Sequence, residues 1–333
     1  MIKPKDEIFQ HYFYFVEERM RIFWNKYESI KPWTSDKILK VYKFTNVYRA
    51  MDRVSQYLIR NVIYNNHTFT DEDILLRILV FKIFNKPDTW EYIEDRVGLI
   101  TVKNFDLQRI NKALLELKQV QPIFNNAYMM TGTHSLYNHL NFKHEKWLLM
   151  VKREMIDKSI LKMIIDSKSL SEVYKHLRGC SFIGNFLAYQ YAIDMNYSNV
   201  IHFSENSFVK AGIGAIRGIK KCFEPLGKKD NYEDAIRYTQ ENFDKCTNKY
   251  GYTEFKPLFG RKPTLIDLQN CFCETDKYLR AKMPELQVDN KRIKQKYKEK
   301  NKSIELFFPP KWNVNKEIHK PCIQPSTMES TLF

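Results

Sequence analysis

Apolar residues return every three or four positions along most of this chain, which is the spacing of one face of an α-helix. In the first segment Ile8, Tyr12, Val16, Met20, Phe23, Tyr27 and Ile30 step this way until Pro32 stops the pattern. In the second, Val47, Ala50, Met51, Val54, Tyr57, Leu58 and Val62 form one apolar face, with Asn46, Arg49, Arg53, Gln56 and Arg60 opposite. Thr70 and Asp73 have capping-box spacing ahead of the run ILLRILVFKIF, which Pro87 closes. Further helices are expected over 104–119, 144–165, 169–178, 185–197 and 232–249, with Gly251 as a C-terminal cap on the last. Another is expected to start at Thr264, with Asp267 three residues on.

Glycine is scarce, at 10 of 333 residues, which argues against a Rossmann sheet or a β-sandwich, since both need many tight turns. The 23 Phe and 20 Tyr supply ample core. The expected fold class is therefore all-α: one helical domain over 1–288, divisible into lobes 1–140 and 141–288, then a basic segment and tail over 289–333. No internal repeat is visible.

The formal net charge is +15 and the pI is near 9.3. A polyanion is the expected partner and nucleic acid its commonest form, because phosphate neutralisation releases counterions; solubility alone is the alternative. No apolar run reaches about 18 residues, so no membrane span is expected. The opening MIKPKDEIFQ lacks an apolar signal core, so a cytoplasmic location is expected. The six cysteines include no CxxC pair, so reduced thiols are expected rather than zinc or an iron–sulfur cluster. HExxH, GxxxxGK[ST] and GxSxG are all absent, which disfavours a zinc hydrolase, a P-loop kinase and a serine hydrolase. No metal or cofactor is expected.

Four constellations can carry chemistry. Glycines punctuate LRGCSFIGNFLAYQYAIDM at Gly179 and Gly184, and VKAGIGAIRGIKKCF at Gly212, Gly214 and Gly218. Such turns expose N–H groups to a phosphate, and Arg217, Lys220 and Lys221 add positive charge; the alternative is a pair of ligand-free helix turns. In TLIDLQNCFCETDKYLR, Asp267, Asn270, Glu274 and Lys277 form one polar stripe on a helix, either a site or a solvated face. The Asn46, Arg49, Arg53 and Arg60 stripe can grip phosphates, or can form a structural network with Asp52.

The stretches FTNVYRAMDRVSQYLI, ILVFKIFNKPDTWE, FIGNFLAYQYAID, FVKAGIGAIRGI and LIDLQNCFCETDKY together resemble the alpha-glutamyl/putrescinyl thymine pyrophosphorylase family, also described as the helical domain of 5-hydroxymethyluracil DNA kinases. They span about 44–280, with one departure: Gly212-Ile213-Gly214 stands where the family often has Gly-Pro-Gly. The family looks like a divergent branch of the helix-hairpin-helix DNA glycosylases, and some bacterial relatives resemble glycosylases that attack phage DNA.

That resemblance implies a helix-hairpin-helix glycosylase-like fold and a catalytic carboxylate beyond the hairpin. The position lands on Glu205; Asp267 is the second choice, and Asp194 the alternative inside the hairpin helix. The hairpin lysine of bifunctional relatives is Phe186 here, so a monofunctional enzyme is implied. Gln190, Tyr189, Asn270, Glu274, Lys277 and Tyr278 are the candidates for a pocket around a flipped base. The expected activity is hydrolysis of the N-glycosidic bond of a modified pyrimidine in phage DNA, as antiviral defence, leaving an abasic site. The alternatives are an enzyme that displaces pyrophosphate from activated 5-hydroxymethyluracil, and a non-catalytic DNA-binding module.

Overall fold

In this computed structural model the described residues are 2–126, 130–227, 231–286, 295–297, 301–319 and 322–325. Among the described residues the elements are helical apart from a two-stranded antiparallel ladder, Asn301–Ile304 with Cys322–Pro325. It divides into two compact units, one of residues 1–56 and 209–333, the other of residues 57–208. Much of the basic segment expected from 289 onward lies outside the described residues.

The chain opens with α1 (Asp6–Tyr27) and α2 (Lys37–Val41). The single helix expected over 47–62 is instead broken. A 3-10 turn, Arg49–Met51, ends at Asp52 in extended conformation, and α3 (Arg53–Tyr57) then runs into a π-helical segment, Leu58–Ile63. The cause is local: Asp52 Oδ1 accepts hydrogen bonds from the main chain and side chain of Asn46, which compete with helical pairing. The expected polar face dissolves with it. Arg49 and Gln56 are buried, whereas Arg60 is exposed.

The second unit holds α4 (Asp71–Phe84), α5 (Pro87–Val97), α6 (Leu107–Lys118), α7 (Lys143–Met150), α8 (Ile160–Ile165), α9 (Leu170–Arg178) and α10 (Asn185–Met195). Thr70 caps α4 as its spacing predicts: Asp73 N–H donates to Thr70 Oγ1, and Thr70 N–H to Asp73 Oδ2, both at 3.2 Å. Asn85 in left-handed conformation ends α4, and Pro87 opens α5 rather than closing its predecessor. The helix expected over 144–165 is interrupted by a π segment, Val151–Asp157, and by left-handed Ser159. No Gly or Pro marks that break, so apolar periodicity runs straight through it. Arg77, almost fully buried in α4, pairs with Glu94 and lies over the Trp90 ring at 4.9 Å.

The first unit resumes with α11 (Ile213–Cys222), α12 (Tyr232–Glu241), α13 (Phe243–Tyr250) and α14 (Leu265–Lys282). Asn242 splits the helix expected over 232–249, and Gly251 caps α13 at φ 78° as expected. The core of this unit is aromatic: Phe9, Tyr12 and Phe223 gather around Phe272 of α14, with centroids 4.3–6.4 Å apart. Each such pair contributes about 0.5–1.5 kcal/mol beyond its area. Tyr12 also donates to the Leu268 carbonyl at 3.1 Å, tying α1 to α14.

Helices α11 and α14 pack so closely that glycine is required between them. A Cβ on Gly218 would lie 2.1 Å from the Phe272 carbonyl oxygen, and one on Gly214 would lie 2.4 Å from Cys273 Sγ. The residues beyond the two-stranded ladder's first strand return to this unit: Phe308 is fully buried, and Phe307 N–H donates to Gln56 Oε1 at 2.8 Å. Among the described residues no helix is long and apolar enough to cross a membrane.

Candidate functional site

A polar cluster of the first unit forms where the turn after α2 meets α14. Asp267 begins it. Its Oδ2 accepts from the Thr264 N–H at 2.9 Å and the Thr264 hydroxyl at 3.0 Å, starting α14, while Oδ1 accepts the Arg49 main-chain N–H at 2.8 Å. One carboxylate thus caps a helix and fixes the turn that carries Arg49. Two helical turns along α14, Glu274 Oε2 accepts the Thr45 N–H at 3.2 Å, and its Oε1 takes Lys277 Nζ at 2.8 Å. The segment Thr45–Arg49 is therefore held at both ends by carboxylates of one helix.

Between these anchors lies Asn46. Its amide oxygen accepts Arg19 of α1 at 2.7 Å. Its amide nitrogen donates to the Met51 carbonyl at 3.0 Å and to Asp52 Oδ1 at 3.2 Å, and its main-chain N–H adds a 3.0 Å bond to the same Oδ1. Arg19 Nε also donates to the Thr45 carbonyl at 3.1 Å.

Electrostatics single out Asp52. Burial raises its pKa to about 6, the Glu274 charge adding to the rise, while the Asn46 N–H and the charges of Arg19 and Arg49 oppose it. Asp267 is likewise raised by burial, against the hydrogen bonds from Thr264 and Arg49. Burial works against the charge on Lys277, but Glu274 and Cys273 beside it hold its pKa above the ordinary lysine value. Lys277 is an ammonium here, suited to pairing and not to nucleophilic attack.

Asn46, Arg49, Asp267, Glu274 and Lys277 are thus brought together, with Asn270 half-buried on the same helix. Tyr278 points to Asp36, whose Oδ2 accepts Tyr278 and Tyr14 hydroxyls at 2.7 and 2.9 Å. Arg53 is half-buried. Arg19 was not marked by the sequence, since nothing in its spacing sets it apart from Arg21 on the same helix. Asp52 was visible only as a possible structural partner.

The other expected residues lie elsewhere. Gly212 caps α11, and Gly214 lies against Cys273. Lys221 is half-buried and pairs with Asp276 at 2.8 Å, while Lys220 is exposed and Arg217 half-buried. In the second unit, Gly184 caps α10. Asp194 is fully buried with Lys82 Nζ 3.5 Å away; Tyr189, Gln190 and Glu205 are also buried, and Tyr189 donates to the Phe208 carbonyl at 3.4 Å. That unit also holds a cavity of about 410 Å³ bordered by Tyr137, Arg153, Glu154 and Lys158.

A family model described as "5-hmdU DNA kinase, helical domain" matches residues 6–288. A 5-hmdU DNA kinase of Bacillus phage SP10 is 26% identical over 321 residues, 90% of this chain and 49% of that protein. The chain thus spans about half the length of this curated relative. No solved structure matches. These findings overturn the expectation of a DNA glycosylase: both names describe a DNA kinase, a transferase, and not a hydrolase that releases bases in antiviral defence. A transferase acting on the base leaves the N-glycosidic bond intact. The role expected of Glu205, Asp267 or Asp194 in stabilising an oxocarbenium charge rested on the glycosylase reading and falls with it.

Proposed function

The chain belongs to the 5-hmdU DNA kinase helical-domain family, and from that premise we propose that it binds DNA containing 5-hydroxymethyldeoxyuridine and presents that nucleoside for phosphorylation. The observation that carries this reading is the match over 6–288, which takes in every residue of the Asn46–Asp52–Glu274 cluster. Two further facts support it. The net charge of +15 suits a polyanion. The cluster offers a carboxylate, which is an acceptor for a hydroxyl.

Phosphoryl transfer needs a cradle for the nucleotide's phosphates, and the sequence contains no GxxxxGK[ST]. The reading therefore assigns to this chain the recognition of the modified base and not the grip on a nucleoside triphosphate. The test is fluorescence anisotropy with two oligonucleotides of one sequence, containing either 5-hydroxymethyldeoxyuridine or thymidine at one position. Tighter binding of the first is expected, and equal dissociation constants overturn the reading.

A further inference from the structure

Asp52 is unusual among the acids of this cluster in what its second oxygen does. Oδ1 is occupied twice by Asn46. Oδ2 takes no hydrogen bond or ion pair among the described residues, although the residue is half-buried. Asp267 and Glu274, by contrast, have both oxygens engaged. Asp52 keeps part of its surface exposed, and Oδ2 is the acceptor left open to an incoming donor.

The surroundings fix what can fill that position. Arg19 from α1, Arg49 and Lys43 from the turn segment, and Glu274 from α14 are the charged groups that act on Asp52. None of the three cations stands within ion-pair distance of Oδ2, so none completes it. An ionised carboxylate is an acceptor only and repels other acceptors, such as a phosphate or carbonyl oxygen. The occupant must bring a donor. Asn46 holds Oδ1 from main chain and side chain, and Arg19 holds Asn46, so the open oxygen is presented in one fixed orientation.

We propose that Asp52 reads the substituent on the pyrimidine: Oδ2 accepts a hydrogen bond from the hydroxyl of a 5-hydroxymethyl group, which a 5-methyl group cannot give. This rests on the reading of the chain as a binder of DNA containing 5-hydroxymethyldeoxyuridine, and it names the residue that discriminates. A site built around an acceptor rejects ligands lacking the donor, because the acceptor is then left unmet. A 5-formyl group, which offers only an acceptor, is rejected along with 5-methyl.

The experiment measures anisotropy with three oligonucleotides of one sequence, carrying 5-hydroxymethyl-, 5-methyl- or 5-formyldeoxyuridine, between pH 5 and pH 8. The wild-type chain should prefer the hydroxymethyl oligonucleotide by about tenfold or more at pH 8. That preference should decline as pH falls through about 6, where Asp52 gains a proton. Asp52→Asn and Asp52→Ala should lose most of the preference, binding the hydroxymethyl and methyl oligonucleotides about equally. A tenfold preference retained in Asp52→Ala removes Asp52 from the role and leaves the functional reading standing. Wild-type binding that is equal for hydroxymethyl and methyl at every pH removes the functional reading itself, and the inference with it. A preference constant from pH 8 to pH 5 in the wild type also overturns the inference, and needs no variant to fold.

Discussion

Asn46 holds a single oxygen of Asp52 from two directions, by its main-chain N–H at 3.0 Å and its side-chain amide at 3.2 Å. The same amide group receives Arg19 on its oxygen at 2.7 Å, so one asparagine fixes an acid and a base at once. That arrangement ends the 3-10 turn at Met51 and sets the start of the helix that follows.

Asn46→Ala keeps the main-chain bond but removes the side-chain bonds to Asp52, Met51 and Arg19. Hydrogen bonds to charged groups contribute about 1.5–3 kcal/mol, so a stability loss of about 2 kcal/mol is expected in urea unfolding. Loss of a bond that favours the ionised carboxylate should also raise the Asp52 pKa further. An unchanged unfolding midpoint would show that the amide contributes nothing.

Asp52 also makes stability depend on pH in an unusual direction. Its folded-state pKa of about 6 lies above the ordinary carboxylate value, so between about 4 and 6 the native state binds more protons than the unfolded chain. Its contribution is present at low pH and is lost as pH rises through 6. Asp6 and Asp36, whose values are lowered, act in the opposite sense, so the total profile mixes both. The difference between wild type and Asp52→Asn isolates the term. The variant should gain stability relative to wild type as pH rises from 4 to 7, and a flat difference would contradict the raised value.

The legible parts of this fold are those set by chemistry within one turn. Thr70 with Asp73, Thr264 with Asp267, and Gly251 could be read as caps because the partners lie three residues apart or the backbone needs a positive φ. The break at Asp52 was not legible, because periodicity continues across it and the competing bonds come from Asn46, six residues earlier. Gly214 and Gly218 looked like a phosphate turn, but their requirement comes from α14, distant in sequence. The spacing placed Asp267, Asn270, Glu274 and Lys277 on one helix, but the burial of Asp267 and Glu274 was not visible, since the segment bonded to them begins at Thr45. The expected activity failed for a different reason: a family resemblance does not by itself choose the reaction.

Two glycine substitutions separate packing from turn geometry. Gly218→Ala puts a Cβ into the Phe272 carbonyl, a backbone atom that cannot move without shifting α14. Overpacking costs about 1–3 kcal/mol where neighbours can adjust, so a loss of 3 kcal/mol or more, about the top of that range, is expected here. Gly184→Ala meets nothing within 4 Å, and its φ of −79° suits any residue. It should change stability by less than about 1 kcal/mol. Thermal unfolding of the two variants side by side checks the contrast, and similar losses would argue against close contact between α11 and α14.

Asp267→Asn tests whether the buried carboxylate of α14 organises the cluster through the backbone. All the hydrogen bonds to Asp267 come from donors: the Thr264 N–H and hydroxyl at Oδ2, and the Arg49 N–H at Oδ1. An amide replaces one of those acceptor oxygens with an NH₂ group, which then faces a donor in a site only 2% exposed. Leaving a buried donor unmet costs about 1–3 kcal/mol. If the amide oxygen stays with Thr264, the helix cap survives and the Arg49 turn is released; if it turns to Arg49, the cap is lost. In either case the Thr45–Arg49 segment loses one of its two anchors on α14, because Glu274 alone remains. The expected outcome is a stability loss of about 2 kcal/mol with faster amide hydrogen exchange at Arg49 or Thr264. Asp267→Glu should not restore the wild-type state, since the longer side chain cannot span the same two positions without strain. A variant as stable as wild type, with unchanged exchange at both amides, would remove Asp267 from this organising role.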